Sequence, residues 1–253
     1  MSGQLGFWYV SQTEDEPLRQ IQAATRVENE TRKPPWIIVD HTIESVTVAH
    51  YPGTLWRVEI IDPATEEDFK AVGTSGLSSR ATYTRAITVD IHQELPVSLL
   101  FGPQGDAICH ILKTIDTLTE TQAEALSRHL HTDTEGIYAE AWKRWLTHED
   151  ARSVYLNQDH PNTLGIPGHR HDSPIHKGFY VIHQQVWNQA KKLTQGAALI
   201  VDEDGDMTLN PVWRQVSTAC LQVAMRYGAN DWLSEAECKV LSAAWDEVMG
   251  TDR

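Results

Sequence analysis

The chain has 253 residues, 41% of them hydrophobic and 22% charged, with a formal net charge of −14. This is the composition of a folded globular protein, and the length suits one large domain or two small ones with a sizeable core. Met1–Gly105 carries 8 basic and 14 acidic residues and Asp106–Arg253 carries 13 and 21, so no basic tail or stripe is set apart to neutralise phosphates, and nucleic acid and anionic lipid are disfavoured as partners.

No run of about 18 apolar residues is present, which excludes a spanning helix. The start of the chain, M-S-G-Q-L-G-F-W-Y-V, lacks the basic region and long apolar core of a secretory signal, so the expected location is the cytoplasm. Cys109, Cys220 and Cys238 are odd in number and far apart. They are expected to be small buried side chains with free thiols rather than a disulfide framework.

The first hundred residues read mainly as strands. Gln4–Ser11 is a candidate edge strand, and Trp36–Asp40 (W-I-I-V-D) follows Pro34-Pro35 as a short apolar run. Val46, Val48 and His50 alternate with Ser45, Thr47 and Ala49, and Trp56, Val58 and Ile60 alternate with Arg57 and Glu59. With Pro52-Gly53 between them, these runs predict a hairpin over Ile43–Ile61. Asp62–Arg80 is polar and Gly/Ser-punctuated, and reads as a long mobile connection with at most a helical turn around Glu66–Val72. Tyr83, Ile87, Val89 and Ile91 then mark a long strand, and Pro96–Phe101 a short one.

From Asp106 the apolar period changes from two to 3.6. Ile108, Ile111, Leu112 and Ile115 form one stripe behind Asp106, the expected N-cap. Thr119 with Gln122 is a capping-box pair for a helix to about Leu130. Thr134 opens a third helix, with Tyr138, Ala141, Trp142, Trp145 and Leu146 on one face. Ser173-Pro174 and Asn210-Pro211 are start signals for two more helices, the first to about Leu193 and the second to Gly228. Ser234 with Glu237 caps the last helix, which turns Val240, Leu241, Ala244, Trp245 and Val248 inward. Nine tryptophans are present, and those of the second half are expected to anchor helix packing.

Strands first and helices afterwards indicate an α+β protein. The expected architecture is an N-terminal antiparallel or mixed sheet of about four to five strands, followed by a helix-rich C-terminal half. The strand-rich region spans 1–105 and the helix-rich region 106–253, meeting at Gly102–Gly105 either as two domains or within one compact domain.

One stretch gathers groups suited to metal binding or acid–base chemistry: D-H-P-N-T-L-G-I-P-G-H-R-H-D-S-P-I-H, residues 159–176. His169 and His171 form an H-x-H pair, His176 lies on the first turn after Pro174, and Asp159 or Asp172 can add a carboxylate. Three imidazoles plus water would suit zinc or another divalent transition metal, with Asp172 as orienter or base. The spacing matches neither the H-x-H-x-D-H pattern of metallo-β-lactamase-like hydrolases nor H-E-x-x-H, and a polar loop of solvated histidines is the simpler reading. His183 lies between Phe179 and Trp187 on an apolar face and is expected to be buried and hydrogen-bonded.

Other motifs fail at their diagnostic positions. The acidic run D-E-D-G-D-M-T-L-N begins like a calcium loop at Asp202, but Met207 and Trp213 stand where Gly and Glu are required, so a hairpin around Asp204-Gly205 fits better. Gly102–Gly105 lacks the lysine and glycine pattern of a phosphate cradle. No G-x-S-x-G elbow occurs. The leading expectation is therefore a cytoplasmic protein-interaction or assembly protein without an evident catalytic motif, acting on a protein partner or through self-association. The alternative is a metal-dependent, hydrolase-like enzyme using His169, His171 and His176.

Overall fold

Five strands build the sheet of the N-terminal half: β1 (Gln4–Ser11), β2 (Arg26–Glu28), β3 (Ile37–Asp40), β4 (Gly53–Pro63) and β5 (Tyr83–Leu95). Every pairing is antiparallel. The computed structural model describes residues 3–11, 22–74, 79–80, 82–130, 134–148 and 174–250. The chain divides into two compact units, Met1–Leu100 with Arg152–Lys177, and Phe101–Ala151 with Gly178–Arg253.

In the first unit, β4 pairs with β1 on one side and β5 on the other, while β3 pairs with both β1 and β5. The hydrogen-bonded circuit β1-β4-β5-β3 is thus closed, and β2 lies against β5 alongside. Closure requires strong curvature, which register shifts in β4 between Arg57 and Val58 and again between Ile60 and Pro63 supply. Inside lie Val39, Trp56, Val58, Val89 and Ile91. β1 is accordingly paired on both sides and is not the edge strand that its position in the sequence suggested.

Two glycines permit this closure by leaving room. A Cβ on Gly6 would stand 2.5 Å from Val39 Cγ1 and 2.6 Å from the Asp40 carbonyl oxygen, and one on Gly53 would stand 2.5 Å from the Tyr9 ring and the Val10 carbonyl oxygen. Such approaches admit only a hydrogen.

The expected hairpin over Ile43–Ile61 does not form. Ser45, Val46, Thr47, Val48 and Ala49 are all buried, so the segment has no wet face. It is a covered loop ending in a cis Tyr51–Pro52 peptide, and Gly53 is already the first residue of β4. The expected long connection is corrected at its start, while the helical turn foreseen around Glu66–Val72 is formed. β4 runs on to Pro63, and α1 (Glu66–Ala71) starts from a capping box in which Thr65 Oγ1 accepts from the Asp68 backbone N–H and Asp68 accepts in return. Arg32 fastens this segment by donating to Asp62 at 2.5 Å and to Asp68 at 2.8 Å. Val97–Phe101, the expected short strand, is a 3-10 turn.

The second unit holds α2 (Gly105–Asp116), α3 (Glu120–His129), α4 (Thr134–His148), α5 (Pro174–Leu193) from Gly178 onward, a hairpin of β6 (Leu199–Val201) and β7 (Met207–Leu209), α6 (Pro211–Gly228) and α7 (Glu235–Met249). Ile108, Ile111, Leu112 and Ile115 of α2 are buried together. Its N-cap is Gln104, which places Asp106 in the first turn, where a negative charge suits the helix dipole. Both capping boxes, Thr119/Gln122 and Ser234/Glu237, are formed. Asn210 accepts from the Trp213 N–H at the start of α6, and Gly228 is that helix's last residue, followed by Ala229 as C-cap.

Trp213 and Trp245 are core residues, whereas Trp142 and Trp187 are half-buried. The side chains of Trp145 and Leu146 lie outside the described residues. Val240, expected to face inward, is exposed. No helix among the described residues is long and apolar enough to cross a membrane. The fold is α+β, with a five-stranded antiparallel sheet followed by a helix-rich half.

Candidate functional site

The histidine stretch lies almost wholly outside the described residues, which include neither His160, His169 and His171 nor Asp159 and Asp172. His176 sits on the first turn of α5, and its backbone alone is described. Among the described residues, no three His, Cys, Asp or Glu side chains form a group able to hold a metal ion.

The reactive side chains that are described have structural settings. Cys220 is fully buried, and burial pushes its thiol up to about 12, so it stays protonated at neutral pH. Burial raises Cys238 as well. Tyr138 is pushed up to about 12 by desolvation beside Trp142 and Phe179. His183 Nδ1 lies 3.0 Å from the hydroxyl of buried Ser217. The hydrogen bond expected of His183 is present, yet the residue is exposed rather than buried. Desolvation of part of its ring still lowers its pKa below the ordinary histidine value. Ser217 sits within α6, without the strand-to-helix turn that presents a nucleophile. Arg57 stacks over Phe7, and Glu59 accepts from the Gly3 N–H and meets His92, so these strand-face charges are tied down locally.

The feature without a structural occupation is the β6–β7 hairpin. Val201↔Met207, Ile200↔Thr208 and Leu199↔Leu209 face one another, around a turn in which Asp202 Oδ1 accepts from the backbone of Asp204 and Asp206. Gly205 provides the left-handed residue at φ 88°. Side chains alternate across a strand, so Leu199, Val201, Met207 and Leu209 share one face. That face is anchored at its root, where Leu209 is buried, and bare towards its tip, where Val201 is 67% and Met207 59% exposed. Ile200 and Val212 are also exposed, so four of the eight exposed large apolar residues among the described ones lie within thirteen positions. The tip carries Asp202, Glu203, Asp204 and Asp206, all exposed, and no Lys, Arg or His occurs from Leu193 to Trp213. The sequence showed the turn through Asp204-Gly205. It did not show which face of so short a hairpin would be covered, because three-residue strands carry too little pattern.

No family model, curated protein or solved structure matches this chain.

Proposed function

We propose that this protein is a protein-interaction or assembly module of the cytoplasm, and that the β6–β7 hairpin is where it engages its partner. The observation that carries the reading is the bare apolar face of Val201 and Met207 on an otherwise anchored hairpin. Exposed apolar side chains scattered singly are ordinary, whereas neighbouring ones gathered on one face mark a surface that a partner can cover. The settings of Cys220, Tyr138 and Ser217, which favour protonated or occupied side chains, support a binding role over a catalytic one.

A photo-crosslinking side chain placed at Val201 or Met207 in the producing cell tests this. Discrete adducts are expected from both positions and not from Glu124, an exposed site on α3. Equal adducts from all three, or none, would remove the reading. Elemental analysis of the purified protein tests the alternative. One stoichiometric transition metal that disappears in a His169→Ala, His171→Ala, His176→Ala variant would establish the metal-dependent enzyme instead.

A further inference from the structure

We infer that the partner of the hairpin is an extended segment of another protein, with apolar residues at alternate positions and Lys or Arg at its ends, which adds as a third strand along the outer edge of β6. This inference rests on the interaction reading above and specifies the chemistry of what is bound.

The ladder geometry supplies the first argument. Asp202 N donates to Asp206 O, and Asn210 N donates to Ala198 O. In an antiparallel ladder, hydrogen-bonded and non-hydrogen-bonded pairs alternate, so Ile200↔Thr208 is a bonded pair and Val201↔Met207 is not. The N–H and C=O of Val201 therefore point away from β7. Leu199, the other outward-facing residue of β6, already donates its N–H to the Gly196 carbonyl, so the open part of the edge is Val201, which also has the barest apolar side chain. β6 pairs with no strand other than β7 among the described residues, so its side away from β7 is an edge of this two-stranded sheet. An open edge with an apolar face is what strand addition uses: main-chain bonds provide affinity, and alternate side chains provide selectivity.

Charge selects the occupant. The loop closing the hairpin adds four carboxylates within a stretch, Leu193 to Trp213, that has no Lys, Arg or His, in a chain of net charge −14. A second copy of the hairpin would bring no cation to these carboxylates, since no Lys, Arg or His occurs from Leu193 to Trp213, and it would add charge of the same sign to the assembly. A cationic segment meets complementary charge at the end of β6, while its apolar residues lie beside Val201.

The probe is an acetylated, amidated peptide, Lys-Val-Thr-Val-Lys, with a lysine at each end so that either strand direction brings a cation to the loop. It is expected to bind about tenfold more tightly at low salt than Glu-Val-Thr-Val-Glu, and to slow hydrogen exchange at the Val201 amide. Val201→Pro removes the outward N–H without removing a ladder bond, and should abolish binding, while Val201→Thr, which keeps that N–H, should retain part of it. Circular dichroism establishes that both variants are folded. Equal binding of the two peptides, an unaltered Val201 amide, or undiminished binding by folded Val201→Pro would each overturn strand addition by a basic segment. Crosslinks from Val201 without peptide binding would remove this inference and leave the interaction reading standing. A dimer in sedimentation that Val201→Pro dissolves would replace the basic partner with a second copy.

Discussion

Lys177 is the side chain whose burial asks most of its surroundings. It is 1% exposed, and its ammonium donates to the carbonyls of Ile43, at 3.2 Å, and Glu44, at 2.6 Å. A buried loop must have its backbone groups satisfied from somewhere, and this lysine serves the covered segment that follows β3. Lys177→Met keeps the aliphatic stem but takes the ammonium from the Glu44 carbonyl and leaves Ile43 only the Val46 N–H at 3.4 Å, and is expected to cost about 1–3 kcal/mol in urea unfolding. Gly6→Ala forces a methyl group into the Val39 side chain and the Asp40 backbone. Overpacking of that kind costs about 1–3 kcal/mol, and a Gly6→Ala protein of unchanged stability would show that the strands separate without penalty. Trp213→Ala and Trp245→Ala empty closed positions in the helical unit and should each cost about 3–5 kcal/mol. The half-buried Trp142 and Trp187 should cost less.

At the scale of elements, the polar ends of the helices were legible where apolar packing was not. Thr119/Gln122, Ser234/Glu237 and Asn210-Pro211 act within four residues, so their chemistry is complete in the local sequence. The Ser45–Ala49 alternation looked like a strand because periodicity reports apolar spacing and not whether the intervening Ser, Thr and Ala will meet water. All five are buried, and the pattern loses its meaning. Sheet order was illegible for a related reason: β4 pairs with β1, some fifty residues away, and nothing between neighbours in sequence specifies that. The metal-ligand set rests on residues that are not described, so only the hairpin, foreseen as a turn and not as a surface, carries the functional reading. The α7 cap also makes a pH prediction. Glu237 is held down at about 2, first by its hydrogen bond to Arg144 and then by the Ser234 backbone and hydroxyl. A depressed carboxyl stabilises the fold above its unfolded value and loses that contribution as pH falls. The thermal midpoint should therefore decline between about pH 4.5 and pH 2, and Glu237→Gln should reduce the slope in that window.

Across the whole molecule, 35 acidic residues face 21 basic ones, and pairing one with one cannot remove the net charge of −14. Arg26 with Asp90, Arg32 with Asp62 and Asp68, and Arg144 with Glu237 are partly exposed contacts, and solvent screening keeps the contribution of such pairs small. Self-repulsion acts over the whole compact state and is expected to be the larger effect. Raising the ionic strength from about 0.01 M to about 0.1 M shortens the screening length from about 30 Å to about 10 Å, so the urea midpoint should rise. Binding of the lysine-ended peptide to the hairpin should weaken over the same interval, because there the charges attract. Opposite responses to one salt titration separate a repulsion spread over the surface from an attraction confined to one loop. A midpoint that falls with salt would mean that the paired charges outweigh the excess. Peptide binding that does not respond would mean that the four carboxylates at the hairpin tip play no part in selecting the partner.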